Sequence, residues 1–411
     1  MERTRRFVHI INKAWLFDFT SFCLQHAPLL LAQIIPGGHY PASIFCIFHT
    51  ENGIIPTRLD VTTQGEWKII NAEEVIQLDS VVFRSDSFFV KLPLFDSSLR
   101  GTWRNDSLFG EWTDHSRKDY TIPFTAGIHN SEGCTNEIEE FSYNVEFSPG
   151  DSAETSKGVA ILIKHGNVVT GTIMTETGDY RYLQGEWNAD SVWLSAFDGT
   201  HLFYLKGKVK GDSIVYGLFL SGKHWKEPWI AMKSRGNTLR NPYSIATIQV
   251  NENPTFTVLD SKQSPVVFDS STWKNHVSVI QIMGSWCPNC TDESRFLKEL
   301  YSEYGNLGLQ IFPVAFERGD DVAAACARVS SQFKQLQLPY SFYYGGKANK
   351  EEAQKTLPFL TSVHSFPTTV FIDKKGVIRR VYTGYYGPST HDEYTKHSIE
   401  IKSLVSDLLS D

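Results

Sequence analysis

Val277-Ser278-Val279-Ile280-Gln281-Ile282-Met283-Gly284-Ser285-Trp286-Cys287-Pro288-Asn289-Cys290-Thr291 is the stretch that decides how this chain is read. Its first seven residues form an apolar run of strand length, the kind buried on both faces of a sheet. Farther on, Phe296, Leu297, Leu300, Tyr301 and Tyr304 fall on one helical stripe, which Gly305-Asn306 stops. Two thiols spaced C-x-x-C therefore stand where a strand passes into a helix N-terminus. The unpaired N–H groups and the dipole at that end favour an anion at Cys287. Pro288 suits the first turn because its missing N–H would have had no partner. Cys290 follows one turn later on the same face. Such a pair can close and reopen: attack by Cys287, a mixed disulfide, release by Cys290.

Working outward, 255–259 and 309–316 read as strands and 320–336 as a helix. Residues 368–372 and 377–382 read as a hairpin about Lys374-Lys375-Gly376, and 399–409 as a closing helix. Strands alternating with helices and ending in a hairpin plus helix describe a compact α/β domain over 254–411. Phe366-Pro367-Thr368 stands directly before one of these strands, where a cis proline would expose the preceding backbone to an extended substrate.

The preceding part has a different texture. From 41 to 233 short alternating runs are separated by Gly, Asn, Asp and Ser turns, without helical periodicity. The pattern Leu-x-Gly-x-x-x-x-Asp-Ser-apolar occurs three times, at 99–108, 183–192 and 205–214, each copy reading as strand, tight turn, strand. A meander this long is expected to close into a barrel or fold into a sandwich, hiding its edges. A break near 127–137 divides it into two halves, and 234–253 reads as a linker. The fold class expected is multidomain α+β: an N-terminal antiparallel β-meander, barrel or sandwich, followed by a C-terminal α/β domain. The Trp and Tyr content of the β-rich part suits a packed core better than a ligand cavity.

The 411 residues, 41% apolar, suffice for two or three cores. A net charge of -7 and the lack of a basic stripe argue against nucleic acid as a partner. Of six cysteines only Cys287 and Cys290 are close in sequence, so neither a disulfide scaffold nor a metal site is expected. Cys326, after Ala323-Ala324-Ala325, reads as a packed core thiol. Cys46 and Cys134 are candidates for a pair in an oxidising compartment, and His364 reads as a surface loop residue. Residues 1–40 begin basic and hold a short apolar run, 27–35, with Ala32 as a cleavage point. They read either as a signal or targeting segment or as a start codon placed too early. Phe22 argues against lipid attachment at Cys23.

Over 254–411 the chain resembles the thioredoxin-fold domain of the TlpA/ResA-like thiol–disulfide oxidoreductases, within the redoxin and AhpC/TSA-related superfamily. The residues that carry the resemblance are Gly284-Ser285-Trp286-Cys287-Pro288-Asn289-Cys290, Phe366-Pro367-Thr368-Thr369, Phe371-Ile372-Asp373-Lys374-Lys375-Gly376 and Thr383-Gly384-Tyr385-Tyr386-Gly387-Pro388. It implies that Pro367 is a cis proline facing the cysteines and that Glu293 assists proton movement near them. Burial would raise the pKa of Glu293 and make it a usable acid or base; an exposed first-turn carboxylate is the other reading. Trp286, Pro288, Phe366 and Thr368, flanking the cysteines and the proline, are the candidate substrate-binding residues. Where the family often has proline, five residues after the second cysteine, this chain has Arg295, a candidate partner for Glu293 or Asp292. Gly178-Asp179-Tyr180-Arg181-Tyr182-Leu183 and Phe197-Asp198-Gly199-Thr200-His201 further resemble longer bacterial envelope proteins with a β-rich region ahead of such a domain.

The function implied is reduction of protein disulfides in the periplasm or cell envelope. The partners would be disulfide-bearing substrate proteins and an upstream thiol reductant, membrane-bound or soluble. No cofactor is expected beyond the Cys287–Cys290 couple itself. Two rivals stand beside this reading. A peroxiredoxin-like antioxidant would need Thr or Ser three residues before its cysteine, where this chain has Gly284. Alternatively, the β-rich region is a ligand- or partner-binding module with an accessory redox arm.

Overall fold

The computed structural model describes residues 42–61, 66–78, 81–104, 107–128, 138–151, 155–234, 236 and 239–411. The expected signal segment, Cys23 and Cys134 lie outside them, so the Cys46–Cys134 pairing does too. Cys46 is buried, and that burial pushes its thiol up to about 12.

Period-two alternation builds the β-rich part, with strands such as Trp67–Asn71 burying every second residue. The first nine-stranded sheet starts at Ala42–Thr50, meanders outward to Glu74–Leu78, and returns from Val81–Arg84 to Thr121–Ile128, which pairs with Ala42–Thr50. Its two edge strands are neighbours in sequence, and Trp67 on one side meets Phe83 on the other with ring centroids 6.1 Å apart, so the sheet curls toward a barrel.

The second sheet does close. Ile138–Phe147 pairs with both Ser156–His165 and Trp225–Lys233, and Ser156–His165 pairs also with Val168–Thr175. Nine strands less the two-residue Gly178–Asp179 leave a ring of eight. A ring of that size is just wide enough for side chains or one small ligand. Here Tyr143, Phe147, Leu162, Leu183, Phe219 and Trp229 belong to one buried cluster, the packed core that the composition favoured. The repeated sequence pattern maps onto hairpins of both sheets. Its glycine serves close approach: a Cβ on Gly185 would lie 1.9 Å from the Trp193 carbonyl oxygen across the strand pair. Phe197, Leu202 and Leu220 of the second sheet are buried in the core of the first, and the Phe197 ring stands 5.0 Å from Phe48. The two β-sheets therefore pack as one body.

The third sheet runs in the order Pro265–Phe268, Phe256–Leu259, Tyr343–Lys347, Leu309–Glu317, Val277–Met283, Thr368–Ile372, Ile378–Thr383. Its middle strands are parallel, and Thr368–Ile372 runs antiparallel beside Val277–Met283. Every residue of Val277–Met283 is buried, as a central strand covered on both faces requires. The helices Pro288–Tyr304 and Asp392–Ser410 cover one face through Phe296, Leu297, Leu300, Ile401 and Val405. Trp273, Leu357 and Phe359 cover the other, packed in one cluster with Phe256 of the sheet. Backbone bridges from Ile248 to Leu360 and from Glu252 to Val377 lay the preceding stretch along this domain.

Candidate active site

Val277–Met283 delivers the chain to Gly284, where a Cβ would meet Trp286 Nε1 at 2.4 Å. The turn that follows is held from below. The Ser285 N–H and hydroxyl donate to the buried Glu317 carboxylate at 2.6 and 2.7 Å, and Gln332 Nε2 donates to the Ser285 carbonyl at 2.9 Å. Trp286 Nε1 donates to the Phe316 carbonyl at 2.9 Å, and the Arg318 guanidinium lies 4.6 Å above the indole ring. Cys287 then caps the helix Pro288–Tyr304, its sulfur accepting the Cys290 N–H at 3.1 Å, with Pro288 in the first turn.

Cys287 and Cys290 are joined as a disulfide, Cα to Cα 5.2 Å. Cys290 is fully buried and Cys287 is 5% exposed. The Phe366–Pro367 peptide is cis, and the Phe366 carbonyl oxygen lies 3.5 Å from Cys287 Sγ. The Phe366 ring meets Trp286 edge-on at 5.5 Å. Both aromatic side chains are partly exposed, whereas Pro288, Pro367 and Thr368 are buried. The Thr368 hydroxyl donates to the Ser365 carbonyl at 2.8 Å, so this side chain shapes the proline loop from within and is not available to a substrate.

Glu293 lies on the sheet side of the helix, 3% exposed. The register that pairs Gln281 with Thr369 sets two polar side chains together on the sheet face below it. Thr369 Oγ1 donates to Glu293 Oε1 at 2.6 Å, and Gln281 Nε2 donates to Oε2 at 2.9 Å. Gln281 Nε2 also reaches the Cys290 carbonyl at 3.2 Å, and its oxygen accepts from Ser294 at 3.1 Å. Burial pushes Glu293 up to about 7, against the lowering by its two hydrogen bonds. A carboxyl poised there can hold or release a proton close to neutral pH. Cys326 is buried in the cluster that contains Met283, Cys287 and Cys290, and His364 is exposed, bonded to Ser362 at 2.6 Å.

Asp292, next in sequence, faces the β-rich region. Arg295 pairs with it at 2.7 Å, rather than with Glu293. The buried Arg181 of the closed barrel meets Asp292 through two nitrogens, at 2.8 and 3.2 Å, and also reaches Glu74 of the first sheet at 2.6 Å and Asp198 at 3.4 Å. One guanidinium thus joins both β-sheets to the redox helix, and the surrounding carboxylates, outweighing its desolvation, hold its pKa well above the ordinary arginine value. Asn289, between the cysteines, donates to the Asp179 carbonyl at 3.0 Å and the Tyr385 carbonyl at 3.2 Å. Sequence reasoning did not single out Gln281, Thr369, Asn289 or Arg181 as site residues. Gln281 had a signal, a long polar side chain inside an otherwise apolar strand. Arg181 stood in a segment quoted only for its resemblance.

Residues 249–397 match the Redoxin family, so the C-terminal part of the chain is a Redoxin domain. The chain is similar to the thiol-disulfide oxidoreductase ResA of Bacillus thuringiensis, 26% identical over 145 residues, 35% of this chain and 75% of that protein. Among solved structures it resembles a thiol-disulfide oxidoreductase from Bacteroides fragilis, at 15% identity and TM-score 0.27, covering 36% of this chain and 98% of that one. It also resembles a thioredoxin-family thiol:disulfide interchange protein from Chlorobium tepidum, at 17% identity and TM-score 0.27, covering 38% and 99%. Fold and matched region agree on a β-rich N-terminal body followed by a thioredoxin-like Redoxin domain.

Proposed function

We propose that this protein is a thiol–disulfide oxidoreductase that reduces disulfides of other polypeptides outside the cytoplasm. The observation that carries the reading is the Cys287–Cys290 pair at a helix start, backed by a buried carboxyl whose hydrogen-bond partners among the described residues are neutral. In the reduced protein the Cys287 thiolate attacks one sulfur of a substrate disulfide, forming a mixed disulfide and expelling a substrate thiolate. Cys290, after losing its proton, attacks the Cys287 sulfur, forms the internal disulfide and releases the second substrate thiolate. Two electrons pass to the substrate, and an upstream dithiol returns the enzyme to its reduced form. Glu293 is the buried group that takes the Cys290 proton, and Gln281 ties its carboxylate to the Cys290 backbone. Trp286 and Phe366, the partly exposed rings beside the sulfurs, are the surfaces a substrate meets first.

The reading is tested by dithiol-dependent reduction of insulin by the full chain. The wild type is expected to turn over and Cys287→Ser to lose turnover entirely; equal rates would overturn the reading. The direction of electron flow is tested by the potential of the couple: a value as oxidising as about -120 mV would make the protein an oxidant instead.

A further inference from the structure

We propose that the segment Thr175–Arg181 of the closed barrel occupies the surface on which an extended substrate would lie, so that the β-rich region covers the disulfide and lifts to admit another polypeptide. The proposal rests on the redox reading and adds to it the form of the partner, an extended and locally unfolded chain.

The segment touches each loop that frames Cys287. Ser365, beside the cis proline, donates to the Thr177 carbonyl at 2.8 Å. Asn289, between the cysteines, donates to the Asp179 carbonyl at 3.0 Å. Tyr386 donates to the Thr175 carbonyl at 2.8 Å, and the Gly387 N–H donates to the Asp179 carboxylate. Three of these contacts go to main-chain carbonyls at and beside the tight turn 176–177, the acceptors that the backbone of a bound peptide would also offer. Glycines on both sides let the chains approach. A Cβ on Gly384 would lie 2.5 Å from the Thr177 carbonyl carbon, and one on Gly178 would lie 2.9 Å from Asn289 Nδ2. Thr200, whose hydroxyl donates to the Trp286 carbonyl at 3.3 Å, closes a further side, and Cys287 is left 5% exposed.

The cover is fastened by charge. Arg181 bridges Asp292 in the redox helix to Glu74 and Asp198 in the β-rich body. Ionic groups at such a junction regain hydration when it parts, so separation costs less than exposing an apolar face of equal area. The two β-sheets share one core, so the cover can move as a unit.

The test uses the full chain, reduced, with alkylation of Cys287 followed by mass spectrometry. One reagent is iodoacetamide; the other is a maleimide carried on a bulky polymer. Arg181→Leu leaves three carboxylates facing one another, and Gly178→Val drives a side chain into Asn289. In either variant the bulky reagent is expected to react about tenfold faster than in the wild type, and iodoacetamide less than about threefold faster, as for a shift in the open population. Variants with native near-ultraviolet circular dichroism and an unchanged ratio of the two rates would overturn the cover. Should neither variant fold, hydrogen exchange decides on Cys290→Ser with a disulfide peptide trapped on Cys287. Loss of protection over 175–181 supports the cover, and unchanged protection overturns it. Alkylation needs no turnover, so failure of insulin reduction would count against the redox reading alone.

Discussion

The sheet-facing side of the redox helix and the side facing the β-rich region bury neighbouring carboxylates by opposite means. Among the described residues Glu293 meets only neutral donors, Thr369 and Gln281, and burial lifts it to about 7. Asp292 meets two guanidinium groups, Arg181 and Arg295. A buried acid whose described partners are neutral is left able to exchange a proton, whereas one held by two arginines serves to join structural bodies. One residue of helical advance, about 100° of rotation, separates a group suited to chemistry from one suited to architecture.

The largest expected effect lies on the paired side. Arg181→Leu leaves the buried Asp198 and Asp292 and the partly buried Glu74 without their shared cation and should cost about 3–5 kcal/mol in chemical denaturation. A loss below about 1 kcal/mol would show that the junction is hydrated and the contrast between the two sides false.

Glu293→Gln should act with the opposite sign. A carboxyl raised from 4.5 to about 7 stays protonated in the folded protein while the unfolded chain ionises. Its contribution is fully present below about pH 4.5 and is lost as pH rises to about 7. The variant, which cannot ionise, should therefore gain on the wild type across that window, by on the order of 3 kcal/mol at the alkaline end. The same substitution should remove a step near neutral pH from the rate at which Cys290 resolves a mixed disulfide. A stability difference that does not vary with pH would mean that Glu293 titrates in the folded protein as it does in the unfolded chain.

Gln281→Leu sharpens the comparison further by removing one donor from Glu293 and the link to the Cys290 carbonyl. The step in the resolution rate should move upward, corresponding to about 1–2 kcal/mol of lost stabilisation of the anion. The smallest effect is expected from Arg295→Ala. Its side chain is 48% exposed, so the pair with Asp292 should contribute less than about 1 kcal/mol and weaken with salt.

Much of the redox domain was legible because its signals are local. A seven-residue apolar run, a proline at the helix start and a one-sided stripe each point to one element. Tyr343–Lys347 escaped because Gly345-Gly346 reads as a turn, yet those glycines let the strand pass over Phe316, whose ring would stand 2.6 Å from a Cβ on Gly345. Lys350–Thr356 is short and polar, and the closing helix begins at Asp392 rather than 399 because its first turns carry few apolar residues. In the β-rich part, Asp-Ser turns gave hairpins, but closure of the second sheet depends on Ile138–Phe147 pairing with Trp225–Lys233, a contact no local pattern encodes. The same limit applied to the site. Both cysteines, Pro367 and Glu293 lie in or near motifs, whereas Arg181 reaches Asp292 across 111 positions of sequence.

The account stands most directly on where a substrate sulfur becomes attached. Cys290→Ser, reduced, mixed with a protein disulfide and quenched in acid, should yield one covalent adduct that maps to Cys287. An adduct on Cys326, or none while Cys287 stays a free thiol, would contradict it.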